Sequence, residues 1–542
     1  MSSTLYRHGV VHTSADPFAE AVLVEDGVVA WLGSDDTADG FADRADEVVD
    51  LEGALVTPGF VDAHVHVLET GLALESIDLS RGGGVHSLAD ALAAVARAAA
   101  TRADHDGPIL GFGWDELDWP EGRPPTSAEV DAAAHGAPVY LARVDVHSAV
   151  VSTSLAASSG AERADGWSAD GRVERDAHHV AREAARSVSA VRRTQLYERA
   201  LAHAAAGGIV SVHEHSAPSI DTREGLRELL DLTRDAAGGR PHLVAYRGEL
   251  CVTVDDAREL LAAIPELTGI GGDLNVDGSI GSRTAALRSS YSDAPGAHGN
   301  LYLAAEQICN HITAVSRAGL QSGFHVIGDA AMDEVLIGLR AAVDVDGAAA
   351  LARTGLRLEH AEMVDAPTLA ALVLLGVRLS VQPAFDAAWG GAGGMYAARL
   401  GAGRAAALNP FADLAGAGVP LAFGSDSPVT ALDPWAGVRA AAFHHEPEQR
   451  ISARAAFRAH SRGGWRLAGH DHVGELRLGS PAHLAVWECD ELVVQAPDGR
   501  LSAWSPDARS GIPLLPDLSP GAVPPRCLRT VRDGHVIFDA LG

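Results

Sequence analysis

Two imidazoles stand two residues apart in Val61-Asp62-Ala63-His64-Val65-His66, at the end of an apolar run. In an extended strand residues i and i+2 point to the same side, so His64 and His66 can aim at one point. Three further short segments carry a histidine or an aspartate at a comparable place: His325 in FHVIGD, His360 in LEHAEM and Asp426 in GSDSP. Imidazole nitrogens and carboxylate oxygens are ligands of a divalent ion such as zinc, which in a catalytic site keeps an open position for water. Taken singly, each motif also reads as an ordinary strand with one satisfied histidine, and an isolated HxH is evenly balanced between ligand and chance. Their coincidence predicts a metal centre.

Such side chains must be carried by elements that bring distant segments together. FVDAHVH, IVSVHEH, HLVAYRGE, GDLNVDGS, SGFHVIGD, RLEHAEM, RLSVQPAF and LAFGSDS are short apolar strands with polar ends, separated by Ala- and Leu-rich helical stretches. That alternation is the pattern of a parallel sheet with crossover helices, and eight strands predict an α/β fold of the closed (β/α)8 TIM-barrel type. Active residues then sit at the C-terminal strand ends, where His64, His66, His325, His360 and Asp426 fall.

The chain ends have another texture. Residues 1–57 hold short alternating runs with an Asp26-Gly27 turn, and residues 471–542 repeat the pattern with an Asp533-Gly534 turn. Each end alone offers too few strands to bury a face, so the two are expected to join in one composite β-sandwich around a barrel of residues 58–470. An insertion at about 70–195, holding GFGWDELDW and VYLARVDVHSAVV, reads as a lid or side structure over the barrel mouth.

Composition narrows the partners. With 42 Lys+Arg against 72 Asp+Glu over 542 residues, the net charge of −30 argues against nucleic acid or an anionic membrane and for a small organic substrate. Cys251, Cys309, Cys489 and Cys527 are isolated and lack the close spacing of a zinc ribbon or redox motif. The N-terminal residues show no basic-then-apolar signal pattern, and no uncharged apolar run reaches the roughly 18 residues of a membrane span, so a cytoplasmic protein is expected. A homodimer is compatible with such a barrel, but no interface is legible.

VTPGFVDAHVH, GFHVIGDAA, RLEHAEMV, SVQPAF, SRTAALRSSYSD and FGSDSPVTALDPW, with GFGWDE and RVDVHSAVV in the insertion, resemble the amidohydrolase superfamily. The resemblance is to its family 3 branch, which contains N-substituted formamide deformylases. It implies a metal-dependent barrel hydrolase in which His64, His66, His325, His360 and Asp426 take the ligand and catalytic positions. Many superfamily members bridge two metals with a carboxylated lysine on the fourth strand. This chain contains no lysine, and the corresponding place, four residues before Asp277-Gly278, is Asp273.

Without a bridge two close cations repel, which favours one ion over two. Asp273, reaching in by backbone adjustment, or Glu214 in SVHEHS keeps the two-ion alternative open; the bland readings are a cap or loop hydrogen bond and a solvated strand end. His213 and His215 flank Glu214, and only one of the two sets can face the axis. A bound Lewis acid makes water more acidic and polarises the attacked carbon, with Asp426 as general base and then acid. His360 is a ligand in a two-ion site, or orients water in a one-ion site.

The expected reaction is hydrolysis of a C–N bond in an amide, formamide or cyclic amide. A deaminase acting on an amidine-like ring and a non-hydrolytic binding protein of the same fold are the alternatives. By the resemblance, Trp114 and His147 face substrate, although Trp114 reads equally as a core anchor. Arg283 either holds a substrate carboxylate or pairs with Asp277, and Ser152 stands where relatives tend to have Asn, which weakens any carried-over contact there. His178-His179 and His444-His445 read as polar surface groups, and the Gly-rich residues 391–404 as a mobile loop near the seventh strand.

Overall fold

The structure, a computed structural model, describes residues 2–102, 107–116, 119–143, 148–495, 504–505 and 513–541. Eight parallel strands carry the site: β1 (Phe60–Val65), β2 (Ile209–Ser216), β3 (His242–Arg247), β4 (Gly269–Ile270), β5 (Gln321–Val326), β6 (Leu356–His360), β7 (Arg378–Val381) and β8 (Leu421–Phe423). They pair in chain order from β1 to β8. Just beyond β8 the ring closes on β1 through a Val65–Ser427 bridge, with the Asp426 N–H donating to the His64 carbonyl at 2.8 Å and the His66 N–H to the Ser427 carbonyl at 3.0 Å. The fold is the predicted α/β barrel, and every residue of β1 and β2 is buried, as near-continuous apolar runs require.

Helices on the outside follow from their own sequences. Arg223–Thr233, between β2 and β3, begins at Thr222, whose hydroxyl accepts the Gly225 N–H, and it buries Leu226, Leu229, Leu230 and Thr233 along one stripe. Ala366–Leu375 begins at Asp365, which accepts the Thr368 N–H, and ends on Gly376 in the left-handed region at φ 68°.

One strand differs from expectation. GDLNVDGS was expected to be the fourth strand, whereas the paired residues are Gly269–Ile270 immediately before it. Gly271 and Gly272 adopt φ of +103° and +63°, which ends the ladder. The segment rejoins β5 only through a bridge between Asn275 and His325.

Both chain ends share one sheet. Val10–Val11 and Leu55–Pro58 line up with Leu484–Glu488, Arg526–Arg532 and His535–Asp539, while Val28–Gly33, Ala21–Glu25, Ser3–Arg7 and Glu47–Asp50 form a second, four-stranded sheet. Val22, Val24 and Val29 pack against Val56, Leu484, Val486 and Val531. The Asp26-Gly27 and Asp533-Gly534 turns both have positive φ at both residues, the hairpin geometry that Asp-Gly favours.

The chain divides into two compact units, Leu68–Ala200 and the remainder. The former has its own five-stranded sheet, ordered Arg172–Glu174, Ser148–Val151, Val139–Arg143, Ile109–Trp114 and Ile77–Asp78, over a core that includes Leu79, Val95, Trp114 and Leu141. Among the described residues no helix is long and apolar enough to cross a membrane.

Candidate metal centre

His64 and His66 project from the end of β1 toward Asp426, whose Oδ1 lies 3.3 Å from His64 Nε2 and 3.2 Å from His66 Nε2. Strand closure makes this possible, since the β1–β8 hydrogen bonds lie within the same three residues. Asp62, beneath them and buried, accepts the backbone N–H groups of His64 at 3.1 Å and Ser425 at 3.0 Å on one oxygen, lashing the two strands together. A Cβ at Gly424 would stand 2.5 Å from the His64 nitrogen, so only glycine allows the approach.

The second pair of imidazoles comes from β5 and β6. Asp273 Oδ1 is 3.1 Å from His325 Nδ1 and 3.4 Å from His360 Nε2, while its Oδ2 is 3.7 Å from His66 Nε2 and 3.9 Å from His64 Nε2. One carboxylate therefore spans both histidine pairs. The backbone adjustment this needs is the Gly271-Gly272 turn, where a Cβ at Gly271 would lie 2.0 Å from the Gly323 carbonyl oxygen. His360 and Asp426 themselves have φ of 68° and 54°, left-handed backbone that costs energy outside glycine and recurs at functional sites.

The donor set fits a divalent metal. His64-His360-Asp426, His64-His66-Asp273 and Asp273-His325-His360 each present three ligand atoms within 4.8 Å of one another. Among the described residues, the fully buried His64 Nε2 faces the Asp426 and Asp273 carboxylates at 3.3 and 3.9 Å without a well-formed hydrogen bond, a nitrogen and two oxygens placed as ligands of one cation would be. Electrostatics agree. Burial raises the cost of ionising Asp426, yet His64 and His66 outweigh it and hold the carboxyl well below its usual range. At His325 burial opposes the proton, but Asp273 prevails and pushes the imidazole up to about 9. A cluster that gathers protons at neutral pH is one in which positive charge is missing, and metal binding would displace those protons.

Other predicted residues lie elsewhere. Glu214 is buried and accepts the Val67 N–H at 2.7 Å, and it belongs to none of these ligand groups. His213 and His215, not Glu214, take the inward set, beneath the centre; the His215 ring stacks on His64 with centroids 4.0 Å apart. Trp114 is 1 % exposed and donates its indole N–H to the Leu141 carbonyl at 2.9 Å, so within its unit it is a core anchor with its polar edge already used. His147 falls outside the described residues.

Arg283 pairs with Asp293 through two hydrogen bonds of 2.8 and 3.0 Å, not with Asp277, whose carboxylate accepts backbone N–H groups of Ala286, Ile327 and Gly328. Ser152 caps Thr153–Ser159 by accepting the Leu155 N–H. His178 and His444 are buried rather than surface groups, the former bonded to the Tyr140 hydroxyl at 2.7 Å and the latter 3.4 Å from Asp386. Met395–Leu400 and Ala402–Ala405 within the Gly-rich stretch are helical, and Tyr396 and Leu400 join a buried cluster with Phe385.

Arg357 and Glu359 escaped the sequence reading. Both are completely buried on β6, and Glu359 Oε2 accepts from His64 Nδ1 at 2.8 Å. The available signal was two opposite charges at i and i+2 inside an otherwise apolar strand. Gln382, whose Oε1 accepts from His360 Nδ1 at 2.9 Å, was missed in the same way.

Comparison with known proteins adds to this geometry. The sequence profile described as Amidohydrolase family, Amidohydro_3, matches residues 47–538. The protein LONG AFTER FAR-RED 3 of Arabidopsis thaliana is 26 % identical over 522 residues, covering 90 % of this chain and 87 % of its own. N-substituted formamide deformylase of Arthrobacter pascens is 24 % identical over 511 residues, 87 % of this chain and 90 % of its own. Among solved structures, an uncharacterized metal-dependent hydrolase from Pyrococcus furiosus superposes with a TM-score of 0.74 at 27 % identity, covering 89 % of this chain and 98 % of that one.

Proposed function

This chain belongs to the amidohydrolase family, and from that premise we propose that it hydrolyses a C–N bond of a small amide, formamide or cyclic amide at a two-ion centre. His64, His66 and Asp426 would hold one divalent ion, zinc in the first instance, and His325 and His360 the other, with Asp273 between them. The observation that carries the reading is the placement of the Asp273 carboxylate, 3.1 to 3.9 Å from all four imidazoles. The case for a single ion rested on the lack of a bridging group, and Asp273 has the reach to be one.

Bound ions would supply Lewis acidity, making water more acidic and a carbonyl carbon more electrophilic. The chain supplies the rest. Asp426, whose Oδ1 lies 3.3 and 3.2 Å from the His64 and His66 Nε2 atoms, accepts the proton of the attacking water and delivers it to the leaving nitrogen. The imidazoles keep their directions because each has an acceptor behind it: Glu359 for His64, the His215 carbonyl for His66, Gln382 for His360 and the Gly278 carbonyl for His325. Formamide substrates are favoured by likeness to the Arthrobacter deformylase.

The test is elemental analysis of the purified protein with turnover on a panel of formamides, N-acyl amino acids and cyclic amides. About two ions per chain and release of an amine with its acid support the proposal, and ammonia release from a ring would assign a deaminase instead. Asp426→Asn should fold and lose about 10²- to 10⁴-fold in kcat. Unimpaired turnover in that variant, or a parent that takes up no divalent metal, refutes it.

A further inference from the structure

We infer that Arg357 and Glu359 are a positioning pair that orients His64 and fixes its tautomer for metal, the guanidinium serving as a built-in cation in the barrel floor. The inference rests on the reading of His64 as a ligand.

Barrel interiors are ordinarily packed with branched apolar side chains, so a charged layer there needs a reason. The Arg357 guanidinium has no exposed surface and is fully engaged. Its Nε donates to Glu359 Oε1, and its Nη2 to the Ala63 carbonyl and, at 3.1 Å, to Glu359 Oε2. It reaches His213 Nδ1 at 2.8 Å and His215 Nε2 at 3.0 Å, and its carbon lies 4.6 Å from the centre of the Tyr246 ring. Since guanidinium can only donate, both imidazole nitrogens must be acceptors and both rings neutral. Two imidazoles, a carboxylate and a carbonyl are the surroundings of a metal ion, and His64-His215-Glu359 does have ligand spacing. Arg357 already fills that place, so a divalent ion is confined to the positions above.

The consequence reaches the centre through one bond. Glu359 can only accept from His64 Nδ1, which fixes the proton on that nitrogen and leaves Nε2 bare toward Asp426 and Asp273. Of the four ligand imidazoles, only His64 has a carboxylate within hydrogen-bond distance behind it among the described residues; His66 and His360 lean on the neutral oxygens of His215 and Gln382, and His325 Nε2 on the Gly278 carbonyl at 3.3 Å, with the Asp277 carboxylate farther off at 4.0 Å. A carboxylate partner makes an imidazole a stronger donor to metal, and loss of such partners typically weakens affinity about 10- to 100-fold. The stack of His64, His215 and Tyr246, with successive ring centres 4.0 and 5.0 Å apart, holds the ring plane while the pair sets its tautomer.

The experiment uses the full-length protein stripped by chelator, with zinc affinity measured by competition against a chromophoric chelator and apo-protein thermal midpoints recorded alongside. Glu359→Gln, which keeps an acceptor but not the charge, is expected to bind the tighter zinc about 10- to 100-fold more weakly. Glu359→Asp keeps the charge beside Arg357 but falls short of His64, and decides the matter if the Gln variant does not fold. Cobalt bound to the folded variant should also show altered visible absorption. A folded variant with zinc affinity within about fivefold of the parent overturns the inference, whatever its apo stability, because a merely structural role moves only the midpoint. A parent that binds no zinc would instead strike at the metal reading itself.

Discussion

Acid should loosen the strand that presents Asp273, through a histidine outside the centre. His311, in the helix Ala305–Arg317, has no exposed surface; its Nδ1 accepts the Cys251 N–H at 3.0 Å and its Nε2 donates to the Ile270 carbonyl at 3.2 Å. Ile270 is the last residue of β4, immediately before the Gly271-Gly272 turn. Burial pushes the imidazole from 6.5 down to about 4, against the pull of its backbone hydrogen bonds. The unfolded chain therefore takes the proton first. Stability from the neutral ring is complete above pH 6.5 and drains away as pH falls through about 4. At about 1.4 kcal/mol per pH unit the whole gap is worth roughly 3 kcal/mol, of which about 2.5 kcal/mol is gone by pH 4.5.

His311→Asn isolates this contribution. The amide oxygen can accept from Cys251, while the Ile270 carbonyl loses its donor, at a cost of about 1–3 kcal/mol at pH 8. Urea denaturation of chelator-treated parent and variant, at intervals from pH 8 to 4.5, gives the difference at each pH. Other buried imidazoles, His12 and His483 lowered to about 4 and His242 to about 3, titrate in both proteins and cancel. The parent's advantage should shrink by about 2.5 kcal/mol and vanish or reverse near pH 4.5. A difference that stays constant across the range would show that His311 is not held neutral by burial, and the reasoning would fail.

Further outcomes concern the centre and its support. Asp273→Asn should lower the metal content to about one ion per chain and cut kcat by at least about 100-fold, measured by elemental analysis and steady-state kinetics; two retained ions would remove the bridging role. Gly424→Ala, whose added methyl group would meet the His64 nitrogen at 2.5 Å, should lower stability by about 1–3 kcal/mol and weaken zinc binding, read from thermal unfolding with and without zinc. Arg283→Ala removes a partly exposed pair with Asp293 and should change stability by less than about 1 kcal/mol and leave kcat/KM alone. A KM increase confined to carboxylate-bearing substrates would return Arg283 to the substrate pocket.

The difference between legible and hidden parts of this site follows from how strands and turns encode position. The convergence of His64, His66, His325, His360 and Asp426 was legible because each lies at or just beyond the end of an apolar strand, and a barrel gathers all strand ends at one rim. The arrangement of Asp273 was not, since a periodic pattern assumes unbroken extended backbone and cannot express positive φ at Gly271 and Gly272. The glycine pair was visible as letters; the reversal that it allows is a property of close packing against Gly323, which only the assembled sheet defines. Asp62, Arg357 and Glu359 were hidden for a different reason. A charged residue alternating with apolar ones reads as the solvated face of a half-buried strand, but here both faces of β1 and β6 are buried, and the charges satisfy one another and His64 inside the ring. Ionised groups are seldom carried into an interior unless paired. Two opposite charges at i and i+2 of a strand ending in a candidate ligand histidine are thus a stronger signal for a buried support of the site than for solvent, and the same reading applied to RLEH alone would have found Glu359 before any fold was known.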